Sequence, residues 1–211
     1  MANSINRFSM IKKALLIGCG NERGENIIKG CHAAGFEVTN IGSSVSKLTH
    51  VRSIKRDWAK LDIIEIHKIL QKLDHGFDFI FFNQNASSLG PDNFNLHSKT
   101  LDLWALHKSW LNSYWLSCQM PYTIIKSLEK KLSPNTIIGW MLSGFIDKDK
   151  KGVEIHPDYS GYKYTNYLLM KNFNTKYQCF GIDPKFETSD KIQPLIKEIC
   201  SGNKKCDGEL F

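Results

Sequence analysis

The chain has 211 residues, of which 42% are hydrophobic and 23% charged, proportions that exclude a disordered or collagen-like polymer. Lys plus Arg number 28 against 21 Asp plus Glu, a formal charge of +7. These cations are scattered, with small clusters at Lys130-Lys131, at 148–151 and at Lys204-Lys205; with no aromatic-basic recognition motif beside them they read as solvated surface, not as a nucleic-acid footprint.

No apolar run approaches the ~20 residues of a membrane-spanning helix. Residues 1–12 are mostly polar and lack the apolar core of a secretory signal, so they are expected to form a flexible leader. No Pro/Gly/Ser-rich linker follows, and 13–211 is expected to be one domain, large enough to hold together without disulfides. None of the six cysteines forms a C-x-x-C pair. Cys200 and Cys206 are a weak metal or disulfide signal; reduced thiols in a cytoplasmic protein are the expectation. The histidines show no metal-ligand spacing.

Strand-like runs alternate with helical stretches along the chain. Residues 13–18 (KALLIG) predict a first buried strand. A helix follows over 24–35, with Ile27, Ile28, Cys31 and Ala34 on one stripe and Gly35 as its stop. Residues 36–41 (FEVTNI) predict a second strand and 51–56 a short third. Over 61–73, Ile63, Ile66, Leu70 and Leu73 have helical spacing. The fourth strand, 77–82 (FDFIFF), is nearly all apolar, as in a sheet covered on both faces. A long helical region at about 99–131 is expected to kink or divide at Pro121. Residues 136–142 predict a fifth strand, 158–174 a helix, 177–183 a sixth strand and 189–200 a last helix, with Pro194 near its start. Residues 206–211 are read as an edge strand. This order implies a Rossmann-like, doubly wound parallel sheet in a three-layer α/β/α domain, with ligands at the carboxyl ends of the strands.

The first strand runs into Gly18-Cys19-Gly20-Asn21-Glu22-Arg23-Gly24-Glu25-Asn26. Glycines between a strand and a helix allow a tight turn and close approach of a ligand's phosphates to backbone N–H groups, and the helix N-terminus favours negative charge. Dinucleotides and S-adenosylmethionine both use such turns. NAD and S-adenosylmethionine sites usually place an acid at the end of the second strand. Here that strand ends Asn40-Ile41-Gly42-Ser43-Ser44, which offers hydroxyls and no carboxylate, and Arg23 is available as a countercharge. NADP is therefore the favoured cofactor and NAD the second choice.

Y-x-x-x-K puts a phenol and an amine on one helix face, one turn apart. It occurs three times, at Tyr122/Lys126, Tyr159/Lys163 and Tyr167/Lys171. Context selects Tyr159/Lys163, which opens the helix after the fifth strand, while Ser143 follows that strand directly. Ser143 and Tyr159 thus fall at the same sheet edge.

With these residues in order, the chain resembles the short-chain dehydrogenase/reductase family over about residues 13–188, as a compact, divergent member. The segment 20–26 is similar to its T-G-x-x-x-G-x-G turn, with Cys19 for Thr and Asn26 for the last Gly. Asp57, beside Trp58, resembles the acid that contacts adenine. Asn83-Gln84-Asn85-Ala86-Ser87 is a loose N-N-A-G segment, Asn112 resembles the helix asparagine, and Ser143 with Tyr159-Ser160-Gly161-Tyr162-Lys163 matches the catalytic core. Pro184 to Thr188 resembles P-G-x-x-x-T, one residue shorter.

The resemblance implies an NAD(P)-dependent oxidoreductase that moves hydride between NADP(H) and a carbonyl or alcohol. Tyr159 exchanges the proton, Lys163 lowers the phenol's pKa and contacts the nicotinamide ribose, Ser143 binds the substrate oxygen, and Asn112 holds a water beside Lys163. Thr188 reaches the carboxamide. It also implies a homodimer or homotetramer; the scattered charge and short apolar runs argue for no nucleic acid and no membrane as partner. Two other readings stay open: a non-catalytic NADP-binding sensor on the same fold, and a methyltransferase.

Overall fold

The apolar runs pair into one parallel sheet in the computed structural model, which describes residues 11–73, 76–83, 111–142, 157–183 and 189–211. Its strands are β1 (Lys12–Ile17), β2 (Phe36–Gly42), β3 (Arg52–Lys55), β4 (Phe79–Phe82), β5 (Ile137–Met141), β6 (Gln178–Ile182) and β7 (Glu209–Leu210). Their order is β3-β2-β1-β4-β5-β6-β7, every neighbouring pair parallel. The described helices are α1 (Glu22–Ala33), α2 (Ile63–Gln71), α3 (Met120–Leu128), α4 (Pro157–Phe173) and α5 (Ile192–Cys200). This is the Rossmann-like α/β architecture that the alternation predicts. The strand order reverses between β1 and β4, which opens a crevice at their carboxyl ends.

Both sheet faces are buried, which is why β1 and β4 read as unbroken apolar runs. Leu15, Ile17, Ile80, Phe82 and Trp140 pack with Ile66 and Leu70 of α2, Ile124 and Leu128 of α3, and Met170 of α4. Ala14, Leu16, Phe79, Phe81 and Phe180 pack with Ile27 and Ile28 of α1 and Ile196 and Ile199 of α5. Gly35 takes φ +83°, the left-handed conformation that stops α1.

Several boundaries move. Lys12, assigned by sequence to the leader, begins β1. The helix predicted from residue 24 starts at Glu22, because Asn21 caps it by accepting the Gly24 N–H at 2.8 Å. Asp62 and Glu65 form a capping box at the head of α2, leaving Ile63 on the predicted apolar stripe exposed. The last helix divides into a 3₁₀ turn (Ser189–Lys191) and α5, with Pro194 in the first turn of α5.

Pro121 has the most telling outcome. The helical stretch is not broken there; it widens into a π-turn (Trp115–Gln119) just before α3, whose first turn takes the proline. A proline inside a regular helix loses one hydrogen bond and presses on the carbonyl four residues back, here Ser117, which lies in the widened turn.

Gly139 of β5 lies between the rings of Phe81 and Phe180, and a Cβ there would stand 2.5 Å from both. Gly139→Val is expected to destabilise the fold by about 1–3 kcal/mol, read as a lower denaturation midpoint at unchanged m-value; an unchanged midpoint contradicts this packing.

Candidate active site

Where β1 ends, the backbone turns sharply. Gly18 has φ +77°, a conformation that strains other residues. Its N–H donates to the Ile41 carbonyl at 2.9 Å, and the Cys19 N–H donates to Oδ1 of buried Asn40 at 3.1 Å. Asn40 is a fully buried polar residue of β2, and its Nδ2 has no partner among the described residues. Holding the Cys19 amide is its structural role. Gly20 packs against the Ser44 backbone and Gly24 against the Cys19 backbone so closely that a Cβ at either would collide.

Asn83, just beyond β4, locks this turn from the neighbouring strand. Its Nδ2 donates to the Gly18 carbonyl at 3.1 Å and to the Asn21 Oδ1 at 3.1 Å, while its own N–H donates to the Ile17 carbonyl at 2.9 Å. One side-chain amide thereby ties the start of the turn to the cap of α1.

These residues border a cleft of about 220 Å³ at the carboxyl edge of the sheet. It brings together eight residues named from sequence: Gly18, Gly20, Asn21 and Asn83 on the turn side, with Ser43, Ser44, Asp57 and Trp58 beyond β2 and β3. The head of α1 adds partial positive charge. Ser43 and Ser44 are exposed, and Asp57 is the acid among the described lining residues. Glu22, Arg23, Gly24 and Asn26 stand in the first turns of α1, outside that described lining.

Asp57 accepts the Ala59 N–H at 3.3 Å, capping the 3₁₀ turn Trp58–Lys60, and pairs with Lys60 at 3.3 Å on the surface. It does not cap α2. Trp58 is buried, with Nε1 donating to the Ile41 carbonyl at 3.1 Å. Trp115 of the π-turn donates to the Trp58 carbonyl at 2.8 Å, and the next residue, Leu116, lines the cleft.

The second half of the site lies at the same edge, after β5. Lys163 of α4 is 1% exposed, and its Nζ donates to the carbonyl of Met141, the last residue of β5, at 3.0 Å. Burial pushes its ammonium down to about 8, against a smaller opposing effect of Cys118. The two rival pairs sit differently. Tyr122 is exposed with its ring against Phe173, and Lys126 is paired with Glu129 at 2.7 Å on the surface. Lys171 lies over the Tyr167 ring at 5.7 Å.

Tyr159 lies in α4 one turn before Lys163; its side chain, and Ser143, Asn85, Ala86, Pro184 and Thr188, lie outside the described residues. Asn112 is half-buried on the helical stretch before the π-turn. Asn40, Trp115, Leu116 and Cys118 are supporting residues that sequence reading missed. Asn40 carried a signal, a polar residue in a buried strand; the other three carried none.

No family model and no curated protein sequence matches the chain. Solved structures match along nearly its whole length. A short chain dehydrogenase from Salmonella enterica serovar Typhi superposes with a TM-score of 0.75 at 14% identity, over 95% of this chain and 94% of that one. An oxidoreductase of the short chain dehydrogenase/reductase family from Brucella ovis, in complex with a partially ordered NAD, gives 0.74 at 15% identity, over 95% and 98%. A putative short-chain alcohol dehydrogenase from Burkholderia multivorans gives 0.71 at 17% identity, over 94% of each. The chain thus has the short-chain dehydrogenase/reductase fold.

The buried lysine makes stability depend on pH. Below about 8 Lys163 is charged in both folded and unfolded chains. Between about 8 and its ordinary 10.5 the folded chain has released that proton and the unfolded chain still holds it, so stability rises with pH, by up to about 3 kcal/mol. Lys163→Met is expected to remove this rise, so that the wild-type-minus-variant unfolding free energy climbs across that window. Parallel curves rule the buried ammonium out.

Proposed function

We propose that the protein is an oxidoreductase of the short-chain dehydrogenase/reductase type, using NADP(H) in preference to NAD(H) on a carbonyl or alcohol substrate. The observation that carries the reading is a buried Lys163 amine on the last carbonyl of β5, one helical turn from Tyr159 and on the sheet edge that carries the glycine cleft.

The cleft suits a dinucleotide. Gly18 and Gly20 leave backbone exposed where phosphates would approach, and the head of α1 favours their charge. Ser43 and Ser44 would take the ribose end, with Arg23 as countercharge to a 2′-phosphate, and Asp57 with Trp58 would border the adenine. Asn85 and Ala86 would continue the cradle from Asn83, with Pro184 and Thr188 beyond β6. When bound, the cofactor supplies or accepts the hydride.

The chain's own residues handle the proton and the orientation. The Tyr159 hydroxyl gives its proton to the substrate oxygen in reduction and takes it back in oxidation. The Lys163 ammonium favours the phenolate and brings the phenol's pKa toward neutrality. The Ser143 hydroxyl donates to the substrate oxygen as charge develops there, and Asn112 orders solvent on the path from Lys163. Above about pH 8 the lysine loses its charge, so turnover falls on the alkaline side.

Exposed Leu111, Tyr114, Tyr122, Tyr164 and Leu168 crowd the helical stretch before the π-turn, α3 and α4, and support a homodimer or homotetramer formed there. All six cysteines are free thiols, which supports a cytoplasmic location.

NADPH, NADH and S-adenosylmethionine titrations, followed by a carbonyl screen at the NADPH absorbance, test the reading. Wild type is expected to bind NADPH most tightly and to turn over, while Tyr159→Phe binds NADPH equally and loses turnover by about 10²-fold or more. NADPH binding with no turnover in either protein favours a sensor; S-adenosylmethionine binding favours a methyltransferase. Light scattering is expected to show an oligomer that Leu168→Glu with Tyr164→Glu reduces to monomers; an unchanged mass rejects that face.

A further inference from the structure

Three side chains of the π-turn reach different neighbours. Trp115 holds the Trp58 carbonyl and Leu116 lines the cleft, while Cys118, 5% exposed, turns toward α4. Its thiol donates to the carbonyl of Tyr162, the residue immediately before Lys163, at a sulfur–oxygen distance of 3.9 Å. The Thr165 hydroxyl is also within its hydrogen-bond reach. Burial pushes the thiol up to about 11, so at neutral pH it is an uncharged donor to that carbonyl. Among the described groups that set the proton on Lys163, Cys118 is the titratable one; β5 contributes the neutral Met141 carbonyl.

We propose that Cys118 is a positioning residue for Lys163: its thiol anchors the peptide carbonyl immediately preceding the lysine and so holds the ammonium aimed at the end of β5. The importance of this for turnover rests on the acid–base role proposed for Lys163; the anchoring itself does not. Replacing the thiol with a methyl group removes that donor and loosens the backbone that aims the lysine at the Met141 carbonyl, so the charged form becomes harder to hold. A hydroxyl keeps the donor.

The test follows Lys163 directly. Protein labelled with ¹³C-lysine is titrated by NMR, with Lys163→Arg assigning the resonance, in wild type, Cys118→Ala, Cys118→Ser and Cys118→Val. The Lys163 midpoint is expected to move to lower pH in the Ala and Val variants and to return toward wild type in Ser. Val keeps the site filled should Ala not fold. Once turnover is measurable, kcat at pH 8 is expected to drop about threefold or more in the apolar variants, with KM for NADPH unchanged and Ser restoring the rate. An unmoved midpoint in the apolar variants, or a Ser variant shifted as far as Ala, overturns the proposal. A midpoint that shifts as expected in a protein without carbonyl turnover supports the positioning role and sinks the catalytic reading.

Discussion

A lysine ammonium taken out of water costs several kcal/mol unless the protein replaces the lost hydration. Lys163 sits in that position, 1% exposed, with its Nζ donating to the Met141 carbonyl at 3.0 Å. Much of the surrounding architecture can be read as what makes that burial tolerable. The accepting carbonyl belongs to the last residue of β5, at the edge of the sheet. The lysine reaches it because α4 runs back from the same edge, and the π-turn brings Cys118 against the peptide just before it. A solvated lysine would pack more cheaply.

The glycine cleft depends on a second, complementary economy. Turns that leave backbone exposed to a ligand have few side chains of their own to stiffen them. Here stiffness comes from amides on neighbouring strands: Asn40 of β2 grips the Cys19 N–H, and Asn83 after β4 grips both Gly18 and Asn21. Parallel topology makes this possible, since β1, β2 and β4 all end at one edge. The same topology puts the end of β5 there, so the anion-favouring head of α1 and the buried amine lie at one edge of the sheet. The π-turn bridges the two halves, touching Trp58 on one side and Tyr162 on the other.

Much of the fold was legible in the residues. Apolar runs such as FIFF could only belong to strands covered on both faces, and the stripe Ile27, Ile28, Cys31 marked a helix against them. Boundaries were less legible because caps decide them: Asn21 and Asp62 recruit residues that an apolar pattern ignores. Pro121 shows the same limit. Local chemistry announces a disturbed helix, but whether the chain breaks, kinks or widens depends on what packs around it, here α4 and Trp58.

By itself the sequence determined the α/β class, the glycine turn after the first strand and the polar residues that gather there, because each rests on periodicity or on a conformation few residues tolerate. It could not rank three tyrosine–lysine pairs of identical spacing by spacing alone. Tertiary packing decided among their lysines by burying Lys163 and leaving Lys126 in a surface ion pair and Lys171 against an aromatic ring. It also decided which backbone groups Asn40 and Cys118 meet. A side chain's ionisation and its partners are properties of its surroundings, and those surroundings arrive from strands and helices far away along the chain.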